Sequence, residues 1–257
     1  MGITNLAIKL AAPLPKLEKF ERCLFVGPHP DDLEIGCGAT AARFAAEGKE
    51  VCFLICLDGR YGSAYAPELT PDELAEVRRS EAIDSAAHLG VKDVRFLDLC
   101  DGGFYEQSEL IDGIARTVGD FQPDVIFSVD PDPNCECHVD HLNVGEACRR
   151  VACFASNPGI MKGHGTVPAP VKALAFYMTA KPNRFVRTKG YVEQQLYCVT
   201  KCFPSQVPEG SDDSRLFSLY IRLRSVDFGL RSFKGRAEGF RVLGSVNMHC
   251  LPESEKR

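Results

Sequence analysis

Two short, continuously apolar runs with an alanine-rich stretch between them constrain this fold more than any other feature. Residues Arg22–Gly27 read Arg-Cys-Leu-Phe-Val-Gly, and residues 51–57 read Val-Cys-Phe-Leu-Ile-Cys-Leu. A strand that is apolar on both sides has to be covered on both sides, which is the condition of a strand inside a parallel sheet. Residues 40–47 between the runs predict a helix, and Gly48 separates it from the second run. Together they predict a βαβ unit.

The alternation continues. Thr70 as N-cap and Pro71 at the first helical position predict a helix over 71–89, ended by Gly90. A strand over 94–97, a helix over 108–119, a strand over 124–129 and a helix over 140–154 follow. Further on, residues 171–178 read as a strand, and 189–202 and 215–229 as helices. The fold class implied is α/β, a Rossmann-like doubly wound and mostly parallel sheet. With no repeat and no dividing linker, the chain reads as one domain over 1–257, with a core over about 20–180 and a C-terminal extension over about 181–257 wrapped on it. Residues 159–170 are expected to form a mobile loop.

Composition excludes several classes of partner. With 257 residues, 45% of them hydrophobic and 25% charged, the chain can bury a full core. A net charge of −5 argues against nucleic acid as its partner. No apolar run approaches the roughly 20 residues that span a bilayer, so no membrane association is expected, and the first 20 residues make a poor signal peptide. The expected compartment is the cytosol. Twelve cysteines are many. Five of them, Cys23, Cys52, Cys56, Cys148 and Cys153, sit among aliphatic neighbours, where free thiols serve as small core residues.

In an open parallel sheet, ligands bind where the chain leaves the C-terminal ends of the strands. The first strand runs into Pro28-His29-Pro30-Asp31-Asp32, and the strand over 124–129 runs into a segment ending Cys135-Glu136-Cys137-His138-Val139-Asp140-His141. A catalytic zinc site takes three protein ligands and leaves one position for water. His29 and one of the two aspartates supply two ligands, and His141 can supply the third from the first turn of the next helix. Mixed nitrogen and oxygen donors suit Zn2+ best, one ion per chain, with Fe2+ or Mn2+ as other fits. Two blander readings stand beside this one. The aspartates after His29 can simply cap a helix, and Cys135 and Cys137 with the two histidines offer a structural Cys2His2 site. Adjacent Cys137 and His138 fit a single tetrahedral ion poorly.

Residues Gly27 to Gly38 together with His138-Val139-Asp140-His141 resemble the LmbE/PIG-L superfamily of metal-dependent de-N-acetylases. The segments 57–62, 77–81, 179–186 and 237–242 are most similar to its diacetylchitobiose and N-acetylglucosamine deacetylases. The resemblance implies that His29, Asp32 and His141 bind zinc and that Asp31 is the general base. It implies that His138 faces the tetrahedral intermediate, oriented by Asp140, and that Arg78, Asp101 and His249 contact the substrate. His249 would do so from a neighbouring subunit of a homo-oligomer, a hexamer. The substrate implied is a small amino sugar. Residue-level alternatives remain: Asp140 as the N-cap of its helix, and Arg78 paired with Glu76 or Glu81 on an exposed face. His88 and His164 match no motif and read as surface or packing histidines. Most relatives carry proline where this chain has Val139, which frees the turn slightly and spares the ligands.

Residues 58–69 and 159–170 are expected to line the substrate entrance. The activity implied is removal of the acetyl group from N-acetylglucosamine or diacetylchitobiose. An N-acetylglucosaminyl conjugate of malate, inositol or phosphatidylinositol is the alternative substrate. Non-catalytic readings are a Rossmann-like binding module, disfavoured because Pro28 to Asp32 replaces a glycine-rich phosphate turn with two carboxylates, and a metal-binding protein without activity.

Overall fold

A computed structural model of the chain describes residues 3–249. Cys250 and the ends of the expected 1–257 domain lie outside them. The chain forms a seven-stranded sheet with the order β3-β2-β1-β4-β5-β7-β6. Its strands are β1 (Arg22–Gly27), β2 (Glu50–Leu57), β3 (Asp93–Leu99), β4 (Val125–Val129), β5 (Ala173–Tyr177), β6 (Arg184–Arg187) and β7 (Ala237–Gly244). The first five run parallel. β7 is antiparallel to both β5 and β6. The helices are α1 (Ile3–Ala11), α2 (Asp32–Ala46), α3 (Pro71–His88), α4 (Gln107–Phe121), α5 (Val139–Phe154), α6 (Pro158–Gly163), α7 (Val192–Tyr197, continued by a π-turn) and α8 (Asp212–Ser232).

Alternate residues of each strand enter two separate cores. Cys23, Phe25, Phe53 and Phe127 face α2 and α3, with Phe25 and Phe127 stacked 4.2 Å apart. Leu24, Val26, Leu54 and Ile126 face α4 and α5 on the other side. Both faces of the central strands β1, β2, β4 and β5 are therefore dry, as the continuous apolar runs require. Of the five cysteines expected in the core, four are buried; Cys153 is only half-buried near the end of α5. The described cysteines are free thiols.

The elements differ from the sequence expectation in four places. The helix expected at 40–47 begins at Asp32, with a break at Cys37 (φ −154°, ψ 20°). The amides of Ala39 and Thr40 freed by that break donate to the buried Glu238 carboxylate at 3.3 and 2.8 Å. Gly36 is obligatory here, since a Cβ at that position would stand 2.3 Å from the Tyr177 ring. Residues after 180, expected as a wrapped extension, supply β6, β7 and α8, and β7 sits within the sheet between β5 and β6. α1 was not anticipated.

Residues 159–170 are not a mobile entrance loop. Asn157 caps α6, whose Met161 is buried in the second core. The segment bonds to the end of α4 through Gln122 and Pro168, which places it at the N-terminal edge of the sheet. A helix that starts at the C-terminal end of a strand returns the chain to the opposite edge, so the connection after α5 lies far from the ligand-binding end.

The chain winds outward from β1 through β2 to β3, then crosses to β4 on the other side of β1. The strand order reverses between β1 and β4, which makes the crevice beyond their C-terminal ends the topological switch point. Both ligand-rich segments open into it.

Candidate metal centre and active site

β1 delivers the His29 loop and β4 delivers the turn into α5, and the two meet at the switch point. Donor atoms of His29, Asp32 and His141 all lie within 4.8 Å of one another. His29 Nδ1 is 3.1 Å from Asp32 Oδ2, and His141 Nε2 is 3.4 Å from Asp32 Oδ1. Two donors about 2.0–2.1 Å from a tetrahedral zinc stand roughly 3.4 Å apart, so the spacing fits a single ion.

The outward nitrogens strengthen the fit. His29 Nε2 lies 3.0 Å from Asp140 Oδ2, and His141 Nδ1 lies 3.0 Å from Glu136 Oε2. A carboxylate behind each ligating imidazole fixes ring orientation and raises basicity. Burial works against charge on His29, but its bonds to Asp140 and Asp32 raise its pKa to about 9. His141 rises to about 9 in the same way, burial being outweighed by Asp32 and Glu136. The two rings in turn hold the Asp32 carboxyl well below its usual range despite its burial.

His29, His138 and Asp140 form a second close group. Asp140 is already committed, since Oδ2 accepts from Gly102 N at 2.7 Å and Oδ1 from Gly103 N at 2.9 Å. Gly102 and Gly103 have φ of 75° and 80°, a conformation that costs glycine nothing and aims both amides at one carboxylate. Asp140 is fully buried and is not the N-cap of α5; that position belongs to His138. Its closest imidazole is His29, while His138 Nδ1 stands 3.8 Å away. The expected orienting contact to His138 is thus secondary to one on His29. Glu136, Gly102 and Gly103 were missing from the sequence reading.

Asp31 sits outside the donor triangle but beside it. Its φ of 117° is a strained value for a side-chain-bearing residue, and such strain concentrates at functional sites. Burial pushes its carboxyl up to about 7, against the pull of the Arg78 guanidinium 3.3 Å away. Arg78 is buried rather than on an exposed face with Glu76 or Glu81. Its Nη atoms donate to Gly59 O at 3.0 Å and Pro30 O at 2.7 Å, tying the His29 loop to the 58–69 loop. Asp101, also buried, accepts from Tyr61 N at 3.3 Å on the same loop. These two residues therefore shape the site wall.

His138 is half-exposed over the centre, and burial together with His29 and His141 lowers its pKa. His249 is not brought to this site. It lies 3.8 Å from Cys153 at the far end of α5, about 20 Å along that helix from His138. Cys135 and Cys137 are exposed and belong to neither donor group, which removes the Cys2His2 reading. His88 stacks on Tyr197, and His164 pairs with Asp112, as ordinary surface and packing histidines do.

An open α/β sheet with a mixed His and Asp donor set at its switch point, and a free carboxylate beside it, defines a hydrolytic type of centre. The sequence comparisons supply the family. Residues 24–152 match the PIG-L model, "GlcNAc-PI de-N-acetylase". A diacetylchitobiose deacetylase of Thermococcus kodakarensis is 31% identical over 253 residues, covering 97% of this chain and 92% of that protein. A 1D-myo-inositol 2-acetamido-2-deoxy-alpha-D-glucopyranoside deacetylase of Kineococcus radiotolerans is 34% identical over 68% of this chain and 56% of its own length. The crystal structure of N,N'-diacetylchitobiose deacetylase from Pyrococcus horikoshii superposes with a TM-score of 0.88 at 26% identity, covering 100% of this chain and 98% of that one. This chain belongs to the PIG-L de-N-acetylase family and is a deacetylase, a hydrolase. Among the described residues no helix is long and apolar enough to cross a membrane.

Proposed function

We propose that this protein hydrolyses the N-acetyl group of N-acetylglucosamine or diacetylchitobiose, releasing acetate and a free amine, around one zinc ion held by His29, Asp32 and His141. The observation that carries the reading is the position of Asp31, a buried carboxylate beside the donor triangle but outside it. The substrate class rests on likeness over nearly the whole chain to a diacetylchitobiose deacetylase. Likeness to the inositol-conjugate enzyme covers a smaller share, and such conjugates are the second reading.

A divalent cation held by these residues would polarise the amide carbonyl and acidify water; Fe2+ and Mn2+ suit the same donors. Asp31 takes the proton of the attacking water and delivers it to the departing amine, a task for which a carboxyl near neutral pKa is well matched. Arg78 holds Asp31 in place and pulls against the burial that raises its pKa. His138 stands where a donor can meet the developing oxyanion. Asp140 and Glu136 fix the ligand rings, and Asp101 fixes Tyr61 at the wall that meets the sugar. The exposed His249, remote from its own centre, acts in the site of another copy within a hexameric homo-oligomer. Buried free thiols support a reducing, cytosolic setting.

The test is incubation of zinc-loaded protein with N-acetylglucosamine, diacetylchitobiose and N-acetylglucosaminyl-malate separately, measuring acetate and primary amine, with a chelated control. Chelator-sensitive release from the first two is the expected result. Release from the conjugate alone moves the assignment to the second reading, and no release with one ion bound per chain overturns both.

A further inference from the structure

The loop that leaves β3 ends in an aromatic residue that lies outside the cores. Residues 101–104 read Asp-Gly-Gly-Phe, and Phe104 is 71% exposed. Tyr61, 53% exposed on the 58–69 loop, stands beside it, with ring centroids 5.7 Å apart and ring planes at 72°. Single apolar side chains scattered over a surface need no explanation. Two aromatic rings set together at the mouth of a site mark a place where a ligand covers them.

The pair is tied to the metal centre. Gly102 and Gly103 donate their amides at 2.7 and 2.9 Å to Asp140, the carboxylate behind His29, so Phe104 is the next residue after a bond to the centre. Neither glycine could carry a side chain freely: a Cβ on Gly102 would stand 3.3 Å from the Phe104 ring, and one on Gly103 3.4 Å from Val139 Cγ1. The Phe104 ring therefore lies back over Gly102, towards Tyr61. Tyr61 is held from the same loop, its amide donating to Asp101 at 3.3 Å. Exposed Val139, against Gly103, continues the surface to His138, which stands over the centre.

We propose that Phe104, braced by Tyr61, determines specificity by stacking on the ring next to the acetylated sugar, the second pyranose of a β-linked amino-sugar disaccharide or longer chain. The inference rests on the deacetylase reading above and deepens it. A β-1,4-linked glucosamine-type ring carries its substituents around its rim and its axial C–H bonds on its two faces. Such a face can cover an aromatic ring without burying an unpaired hydroxyl. A charged aglycone fits worse. Arg60, the cation on the Tyr61 loop, is committed to Asp58 at 2.7 Å and to Asp72 at 2.8 Å, so it offers no free counter-charge to a carboxylate or phosphate. Inositol of the myo configuration fits less well than a sugar, because its axial hydroxyl interrupts one face.

The experiment uses zinc-loaded full-length protein and two sugars, diacetylchitobiose and N-acetylglucosamine, which has no second ring. Acetate release is compared for wild type, Phe104→Ala and Phe104→Trp, with circular dichroism to check folding. Phe104→Ala is expected to lower the disaccharide-to-monosaccharide ratio of kcat/KM about 5–10-fold, through KM for the disaccharide, and Phe104→Trp to restore it. The chain has no tryptophan of its own, so Phe104→Trp also places a single indole on the platform. In an Asp31→Asn background, which slows turnover, its emission is expected to shift with the disaccharide and to stay unchanged with the monosaccharide. Should Phe104→Ala misfold, the emission decides alone. An unchanged ratio in folded Phe104→Ala, or an emission that answers both sugars equally or neither, overturns the inference and leaves the deacetylase reading standing. Release of acetate from neither sugar by wild type overturns that reading, and the inference with it.

Discussion

Metal binding by this chain is expected to expel about two protons per ion at pH 8. In the metal-free protein, Asp140 and Asp32 around His29, and Asp32 and Glu136 around His141, outweigh the burial that opposes charge, so both imidazoles hold their protons up to about pH 9. A coordinating imidazole has to be neutral. At pH 8 the two rings together therefore release about 1.8 protons, whereas rings at the ordinary value near 6.5 would release less than about 0.1. Between about pH 7 and 9 the logarithm of affinity should rise by roughly two per pH unit and then level. Titration calorimetry of apoprotein with Zn2+ at pH 8, in buffers of differing ionisation enthalpy, reads the number as a slope. Ionisation of water on the ion adds at most about one proton, so a slope near one or below refutes the argument. Stability follows with a definite sign. Raised imidazole pKa values stabilise the metal-free fold below the unfolded value near 6.5, and this contribution is lost as pH climbs through about 9. The apoprotein should melt at progressively lower temperature across that window.

Replacing Asp31 with Asn is expected to leave one ion bound per chain while lowering kcat about 10²–10⁴-fold, measured by acetate release alongside metal analysis. Glu136→Gln keeps the shape of the side chain but weakens the support behind His141 Nδ1, and should loosen zinc by about 10–100-fold in a competition titration with a chromophoric chelator. Gly36→Ala inserts a methyl 2.3 Å from a Tyr177 ring that its own hydroxyl bond to Val26 O holds in place. A cost of about 3 kcal/mol or more should appear as a lower urea midpoint with unchanged slope.

The parallel half of the fold was legible because its central strands are apolar on both faces, and nothing but a doubly covered sheet accommodates Arg22–Gly27 and residues 51–57 together. β7 was illegible for the converse reason. It reads Ala-Glu-Gly-Phe-Arg-Val-Leu-Gly, and its two charged residues are buried with partners supplied from elsewhere in the chain. Glu238 accepts from the broken turn of α2, and Arg241 donates to Asp130 at 2.9 Å. A charge looks like a surface position until its partner is known, and these partners lie 198 and 111 residues away. The start of α2 was hidden by Gly36 and Gly38, which lower helix propensity locally while allowing Tyr177 and Gln195 to pack closely.

The same distinction separates the parts of the site. The donor-bearing segments could be picked out because they leave strands at the one end of the sheet where ligands collect, so position along the chain stood in for position in space, while the choice of Asp32 over Asp31 came from the family resemblance. The supporting groups obey no such rule. Asp140 was noticed for its neighbour His138, yet its oxygens go to His29 and to the amides of Gly102 and Gly103, on a loop that reaches it only after β3 has formed. Glu136 acts because the turn before α5 folds its carboxylate back on His141. Arg78 likewise reads as a solvated helix residue until α3 packs and carries it under the His29 loop. What the chain order conceals is thus the layer that orients the ligands. That layer carries the clearest structural argument that the donor set is built for a metal: two histidines that merely pack have no need of a separate carboxylate behind each ring.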